Sequence, residues 1–215
     1  MPRRPALSYD RIICAAVRVA DDGGLSKLSM RNVGRELGVE AMSLYHHIDD
    51  KDALLDGLAN WIFTQIELPE SGTPWRPAMV RRAGSARDTL ASHPWGLGLI
   101  ESRRAPGPAL LRHHDRVLAS LRENGFSVAL AAHAFSAIAS YVYGFVLTEL
   151  NLPFEAGEDA EGFVEVIRQF LAPDEYPHLV ELIQEQVVGA AYAYGDEFEF
   201  GLDLILDGLE RQLTG

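Results

Sequence analysis

The stretch LSMRNVGRELGVEAMSLYHHI, Leu28 to Ile48, has the residue types and spacing of two short helices joined by a tight turn. Gly34 supplies a small residue where the helices cross, Gly38 occupies the turn where a positive φ is needed, and Val33, Leu37, Val39 and Leu44 fill the space between. In a helix-turn-helix the second helix enters the DNA major groove, which makes Glu40 to His47 the reading segment. Ala41, Met42 and Ser43 are placed to meet base edges, and Ala41 and Met42 offer apolar contact to thymine methyls. Tyr45, His46, His47 and Lys51 suit phosphate positioning. Ser29, which caps the preceding helix, is expected to contact DNA together with Arg31 beside it, which can reach a base or the backbone. Arg3 and Arg4 add a short basic arm.

A second constellation is aromatic. Trp61, Trp75, Met79, His93, Trp95, Phe135, Tyr141 and Phe145 bring apolar rings and a few polar atoms to the middle of the chain, the composition of an apolar ligand pocket. Each of them also fits ordinary core packing. His113 and His114 stand beside Asp115, but adjacent residues on a helix point about 100° apart, so the pair cannot chelate one ion without ligands from elsewhere. A solvated face is expected there, with no metal and no cofactor. No nucleophile and base pair, phosphate loop or carboxylate pair stands out, so an enzyme is not expected.

The elements that must position these residues read as helices almost throughout. Ser8 caps a helix with Ile12, Ile13, Ala16, Val17 and Ala20 on one face, ended by Gly23 and Gly24. Met30 to Leu37 and Val39 to His47 follow, and Lys51 to Ile66 carries an apolar stripe of Leu54, Leu55, Leu58, Ile62 and Ile66. Beyond the break at Pro69, Gly72 and Pro74, helical patterns run over 75–92, 108–123, 127–152, 158–171, 175–191 and 196–213. No strand is expected. The segment from Ala129 to Leu152 is apolar on nearly every side and predicts burial all round; with FEFGLDLILDGLERQL near the end it suggests a subunit interface, the alternative being the core of a monomer.

The 215 residues allow a small module joined to a larger one, and the charge is divided between them. The whole chain carries a formal charge of -12, yet residues 1–48 hold seven basic and five acidic side chains while residues 123–215 hold two basic and seventeen acidic ones. A basic tip on an acidic body keeps nucleic acid at the tip. Cys14 is the single cysteine, which excludes intrachain disulfides and favours a reducing compartment. MPRRPALSYDRII contains no long apolar run, and no stretch elsewhere approaches a membrane span, so a cytoplasmic chain without a membrane partner is expected.

At VEAMSLYHHIDDKDALLDGL, Val39 to Leu58, the chain resembles the TetR-type transcriptional regulators, and within them the tetracycline-repressor subgroup. Leu44, Tyr45, His47, Lys51 and Ala53 to Leu55 carry the likeness, supported by ENGFSVALAAHAFSAIASYVYGFVL, Glu123 to Leu147, and by the C-terminal segment. The resemblance implies an all-α fold: a helix-turn-helix DNA-binding domain over 1–50, then a helical-bundle ligand-binding and dimerisation domain over 51–215 whose linking helix spans 51–66. Ala41 and Met42 replace the Gln and Pro of the tetracycline repressor, which implies a different operator. Arg82, Ala86, Ile100 and Arg103 stand where that repressor holds its drug and magnesium, which implies a different effector and no metal dependence. The function expected is that of a homodimeric repressor of a palindromic operator, released by a small apolar or aromatic effector. The alternative is an all-α binding protein or enzyme that uses the central pocket directly.

Overall fold

A computed structural model describes residues 6–152, 162, 164, 170–171, 175–187 and 193–214. Arg3, Arg4 and most of the helix expected over 158–171 lie outside the described residues. The described residues contain helices and no strand: α1 Tyr9–Lys27, α2 Met30–Leu37, α3 Ala41–Leu44, α4 Lys51–Gln65, α5 Trp75–Ser92, α6 Trp95–Ser102, α7 Pro108–Glu123, α8 Val128–Leu150, α9 Pro177–Leu182 and α10 Glu197–Thr214. The chain divides into two compact units, 1–143 and 144–215. The first therefore holds α1 to α7 and most of α8, a grouping that joins the DNA-binding helices to the helices that follow.

Local chemistry sets the helix ends. Ser8 accepts a hydrogen bond from the Arg11 amide at 3.4 Å, Ser29 from Asn32 at 3.2 Å and Asp50 from Ala53 at 2.8 Å, each satisfying a donor of a first turn. Gly23 and Gly24 leave helical geometry as expected, but the chain makes one further turn to Lys27. Gly38 ends α2 at φ 67°. The reading helix is shorter than the expected Val39 to His47. Only Ala41–Leu44 is helical, and the amides of His47 and Ile48 both turn back to the Leu44 carbonyl, at 2.9 and 3.0 Å.

Ile12, Ala16, Leu28, Val33, Leu44 and Ile48 are buried and form the core of the three N-terminal helices. α4 then lies against α1 at a glycine: a Cβ at Gly57 would stand 2.5 Å from Ile13 Cδ1 and 2.6 Å from the Tyr9 hydroxyl. α6 was not expected from the sequence. WGLGLIES holds two glycines, poor helix formers, and is held by burying Trp95, Leu97 and Leu99, with Gly96 letting it approach Ile62 of α4.

α8 corrects two expectations. It is not buried all round within the chain, because Ala132, His133, Ser136, Ser140 and Gly144 are exposed while Ala131, Ala134, Ile138 and Val142 are buried. By length and composition it is also apolar enough to cross a membrane, with a mean hydropathy of 1.5, although no such stretch was expected. In the second unit, Phe145 stacks on Tyr194 at 4.7 Å and meets Phe198 edge-on at 5.0 Å, so the end of α8 and the start of α10 share a core.

The crossing of α2 and α3 generates a prediction. A Cβ at Gly34 would lie 3.0 Å from the Val39 carbonyl oxygen and 3.3 Å from Ala41 Cα, both backbone atoms of the turn. Gly34→Val should destabilise the protein by about 1 to 3 kcal/mol through overpacking, and weaken DNA binding in step. Urea unfolding with an unchanged midpoint would refute it.

Candidate functional site

The reading surface is built by anchoring a short helix from beneath. Leu44 and Ile48 are 0% and 3% exposed, while Met42 between α3's ends is 73% exposed and Tyr45 is 43% exposed. Arg31, His46, His47 and Lys51 are exposed, and Ala41, Ser43 and Ser29 are half-buried, Ser29 being occupied by its cap. Arg18 of α1 and Glu36 of α2 form an ion pair at 2.6 Å, which ties the two supporting helices. The structure thus brings Arg31, Met42, Tyr45, His46, His47 and Lys51 to the surface around α2, α3 and the start of α4.

Lys51 is also the first residue of α4, and the far part of α4 borders a cavity of about 150 Å³. Asp56, Ala59, Asn60 and Phe63 form its α4 side, with Gly107 and Leu110 opposite. Asn60 Oδ1 accepts from the Ala109 amide at 2.8 Å, so a polar side chain on α4 holds the start of α7. Arg103 binds Asp56 at 2.6 Å and reaches Asp52 at 3.6 Å, which fastens the end of α6 to the same helix. Asp56, Asn60 and Arg103 were not singled out in the sequence as site residues. Their signal is a polar pair at helical spacing, Asp56 and Asn60, beside an otherwise apolar stripe.

None of the eight residues expected for the pocket borders that cavity. His93 and Trp95 instead bind Asp21 of α1: Asp21 Oδ1 meets His93 Nδ1 at 2.8 Å and accepts from Trp95 Nε1 at 2.7 Å. Trp61 stands edge-on to His93 with ring centroids 5.0 Å apart. Trp75 packs on Phe126, and Met79 is buried on the same helix. Phe135 contacts His114, Tyr141 is half-buried, and Phe145 lies in the second unit.

A polar cluster lies in the first unit between α5 and α7. Arg82 is 2% exposed and its Nε donates to His113 Nε2 at 3.1 Å; its charge sits 5.8 Å from the centre of the Phe135 ring. His113, expected on a solvated face, is 1% exposed, because it falls in phase with Ala109, Val117 and Ser120 on the buried side of α7. Burial, then the positive charge of Arg82 and the neighbouring His114, push the His113 pKa down to about 3. Burial lowers Arg82 from its usual value and raises Tyr143 from its own.

Comparison with known proteins places this geometry among relatives. A family model described as "Bacterial regulatory proteins, tetR family" matches residues 12–58, and one described as "Tetracyclin repressor-like, C-terminal domain" matches residues 68–213. The HTH-type transcriptional repressor DrrR1 of Streptomyces coeruleorubidus is 36% identical over 96% of this chain and 78% of its own length. The tetracycline repressor protein class D of Escherichia coli is 30% identical over 97% of this chain and 91% of its own. Among solved structures, the Streptomyces coelicolor protein ActR in complex with actinorhodin superposes with a TM-score of 0.77 at 27% identity, covering 98% of this chain and all of that one.

The buried histidine makes stability depend on pH. His113 binds a proton near pH 6.5 when unfolded but only near pH 3 when folded, so its contribution is complete above 6.5 and is lost as pH falls towards 3. His113→Gln should therefore show a shallower fall in Tm across that window than the parent protein. Parallel Tm profiles would contradict the assignment.

Proposed function

Because the chain belongs to the TetR family of transcriptional regulators, we propose that it is a homodimeric repressor of a palindromic operator, released from DNA by a small apolar or aromatic effector. The observation that carries this reading is the surface around Met42, an exposed apolar side chain held over the buried Leu44 and flanked by His46, His47, Arg31 and Lys51. Ala41, Met42 and Ser43 read bases, while Tyr45, His46, His47 and Lys51 bind phosphates. The action on DNA is cytoplasmic, and neither metal nor other cofactor takes part.

A second copy of the chain is the partner proposed for α8 and α10. Leu147, Phe200 and Leu204 are 56%, 66% and 58% exposed in the second unit, more large apolar surface than a lone chain usually leaves in water. A Cβ at Gly144 would meet nothing within 4 Å in its own chain, which leaves room for close approach by a partner helix. Two-fold pairing sets two reading helices about 34 to 36 Å apart, one turn of DNA.

The effector acts through α4. That helix presents Asp56, Asn60 and Phe63 to the cavity and Gly57 to Ile13 and Tyr9 of α1, so a molecule that spreads the cavity shifts the helix on which the reading domain rests. Release requires the effector to prefer the spread state, and DNA must weaken effector binding by the same factor. The complex of ActR with actinorhodin supports a bound effector for a body of this kind.

Fluorescence anisotropy with the selected operator and a scrambled duplex tests the reading. Lys51→Ala or Tyr45→Phe should weaken binding to both alike, and Lys51→Ala should reduce the salt slope by about 1. Met42→Ala should instead shift operator preference by about 1 to 3 kcal/mol; equal losses on both duplexes would remove Met42 from base reading. Gly144→Arg should leave helicity intact and yield monomers in sedimentation velocity, since a Cβ there meets nothing within 4 Å in its own chain and the long cation projects into the proposed interface. A dimer that survives it would place the interface elsewhere.

A further inference from the structure

The one acceptor in the Arg82 and His113 pair is already taken, and what remains is donors. Arginine only donates, and it stays protonated even when buried, so the Nε hydrogen bond to His113 Nε2 makes that imidazole nitrogen the acceptor. His113 is neutral, and its proton therefore sits on Nδ1. Both Arg82 Nη1 and His113 Nδ1 are buried without a hydrogen-bond partner among the described residues. Two adjacent side chains thus each carry an unused donor, one of them on a full positive charge.

Among the described residues, no carboxylate pairs with that charge. Phe135 offers a ring face, His113 is neutral, and burial disfavours protonation of His114. Tyr143 is the titratable group among the described residues that favours the cation, and burial works against its ionisation by raising its own pKa. Buried guanidinium groups are ordinarily compensated by a carboxylate or phosphate, because desolvation of an unpaired ion is costly. The cluster lies beside the cavity: the ring of Phe63, part of the cavity wall, is centred 5.6 Å from that of His113.

We propose that Arg82, with His113 as a second donor, is the subsite for an acidic oxygen of the effector, which is therefore an aromatic molecule bearing a carboxylate or an equally acidic enol or phenol. This rests on the reading that the body takes a small effector. The ring system occupies the cavity against Phe63 and Leu110, and the anionic group reaches past Phe63 to Nη1. Charge-assisted pairing in a site shielded from water supplies both orientation and selection against neutral analogues. His113 holds the guanidinium through Nε, which leaves the Nη1 edge for the ligand.

The test uses the full-length protein and matched probes, 2-naphthoate against 2-naphthamide and anthracene-2-carboxylate against anthracene-2-carboxamide, titrated by calorimetry. Each acid should bind about tenfold or more tightly than its amide. Arg82→Met should abolish that difference and Arg82→Lys should keep part of it. In the absence of probe, Arg82→Met should melt no lower than the parent, whereas an arginine serving only the core would lower Tm when removed. Amides that bind as tightly as acids, or an acid preference that survives Arg82→Met, overturn the anionic subsite while leaving an effector-binding body. If no acid or amide binds at millimolar concentration, the effector reading falls with it.

Discussion

A carboxylate, Asp21, ties the reading domain to the rest of its unit by side-chain hydrogen bonds. Asp21 receives both His93 Nδ1 and Trp95 Nε1, and its helix carries the core on which α2 and α3 rest. A hydrogen bond from an indole and one from an imidazole fix the carboxylate in direction as well as distance, so α1 is held against the junction of α5 and α6 rather than merely packed on it. Trp61 of α4 closes on His93 from the side. The angle at which Met42 and its neighbours face DNA follows from this joint and from the Gly57 contact between α1 and α4.

These contacts couple α4 to α1 on one side and to α7 on the other. Gly57 admits α1 so closely that no side chain intervenes to absorb a shift, while Asn60, one helical turn on, is tied to the start of α7. A helix held by rigid contacts on both sides passes displacement from one to the other, as close-packed interiors do. Arg103 strengthens the same coupling, since its bonds to Asp52 and Asp56 reach towards the DNA end of the helix.

The helix-turn-helix was legible in the sequence because its signals are local. Caps at Ser8, Ser29 and Asp50, the positive φ of Gly38 and the close crossing at Gly34 all depend on residues a few positions away. The joint was not legible, because Asp21 meets partners 72 and 74 residues distant, and a histidine beside a tryptophan reads as pocket lining when its partner is unknown. α6 escaped notice for a different reason: its glycines carry the signature of a loop, and only burial against α4 makes it a helix. The apolar sequence of α8 reports that its faces avoid water without saying whether the same chain covers them. His113 shows the reverse case, a charged neighbourhood in sequence concealing a residue in phase with the core of α7.

The uncompensated cation and the moving helix meet at Phe63. Its ring forms part of the cavity wall on α4 and contacts His113, the residue that holds Arg82. An effector that gains its binding energy from Arg82 therefore has to displace or lean on a side chain of the helix that supports the reading domain. Free energy released at the guanidinium is available to move α4 only insofar as the shifted helix improves the approach to Nη1, because an effector bound equally well in both states would move nothing. A buried charge left unpaired without effector satisfies that condition where only the shifted helix lets the anionic group reach Nη1. Its desolvation is already incurred before the effector arrives, and the difference between paired and unpaired becomes the preference that favours release.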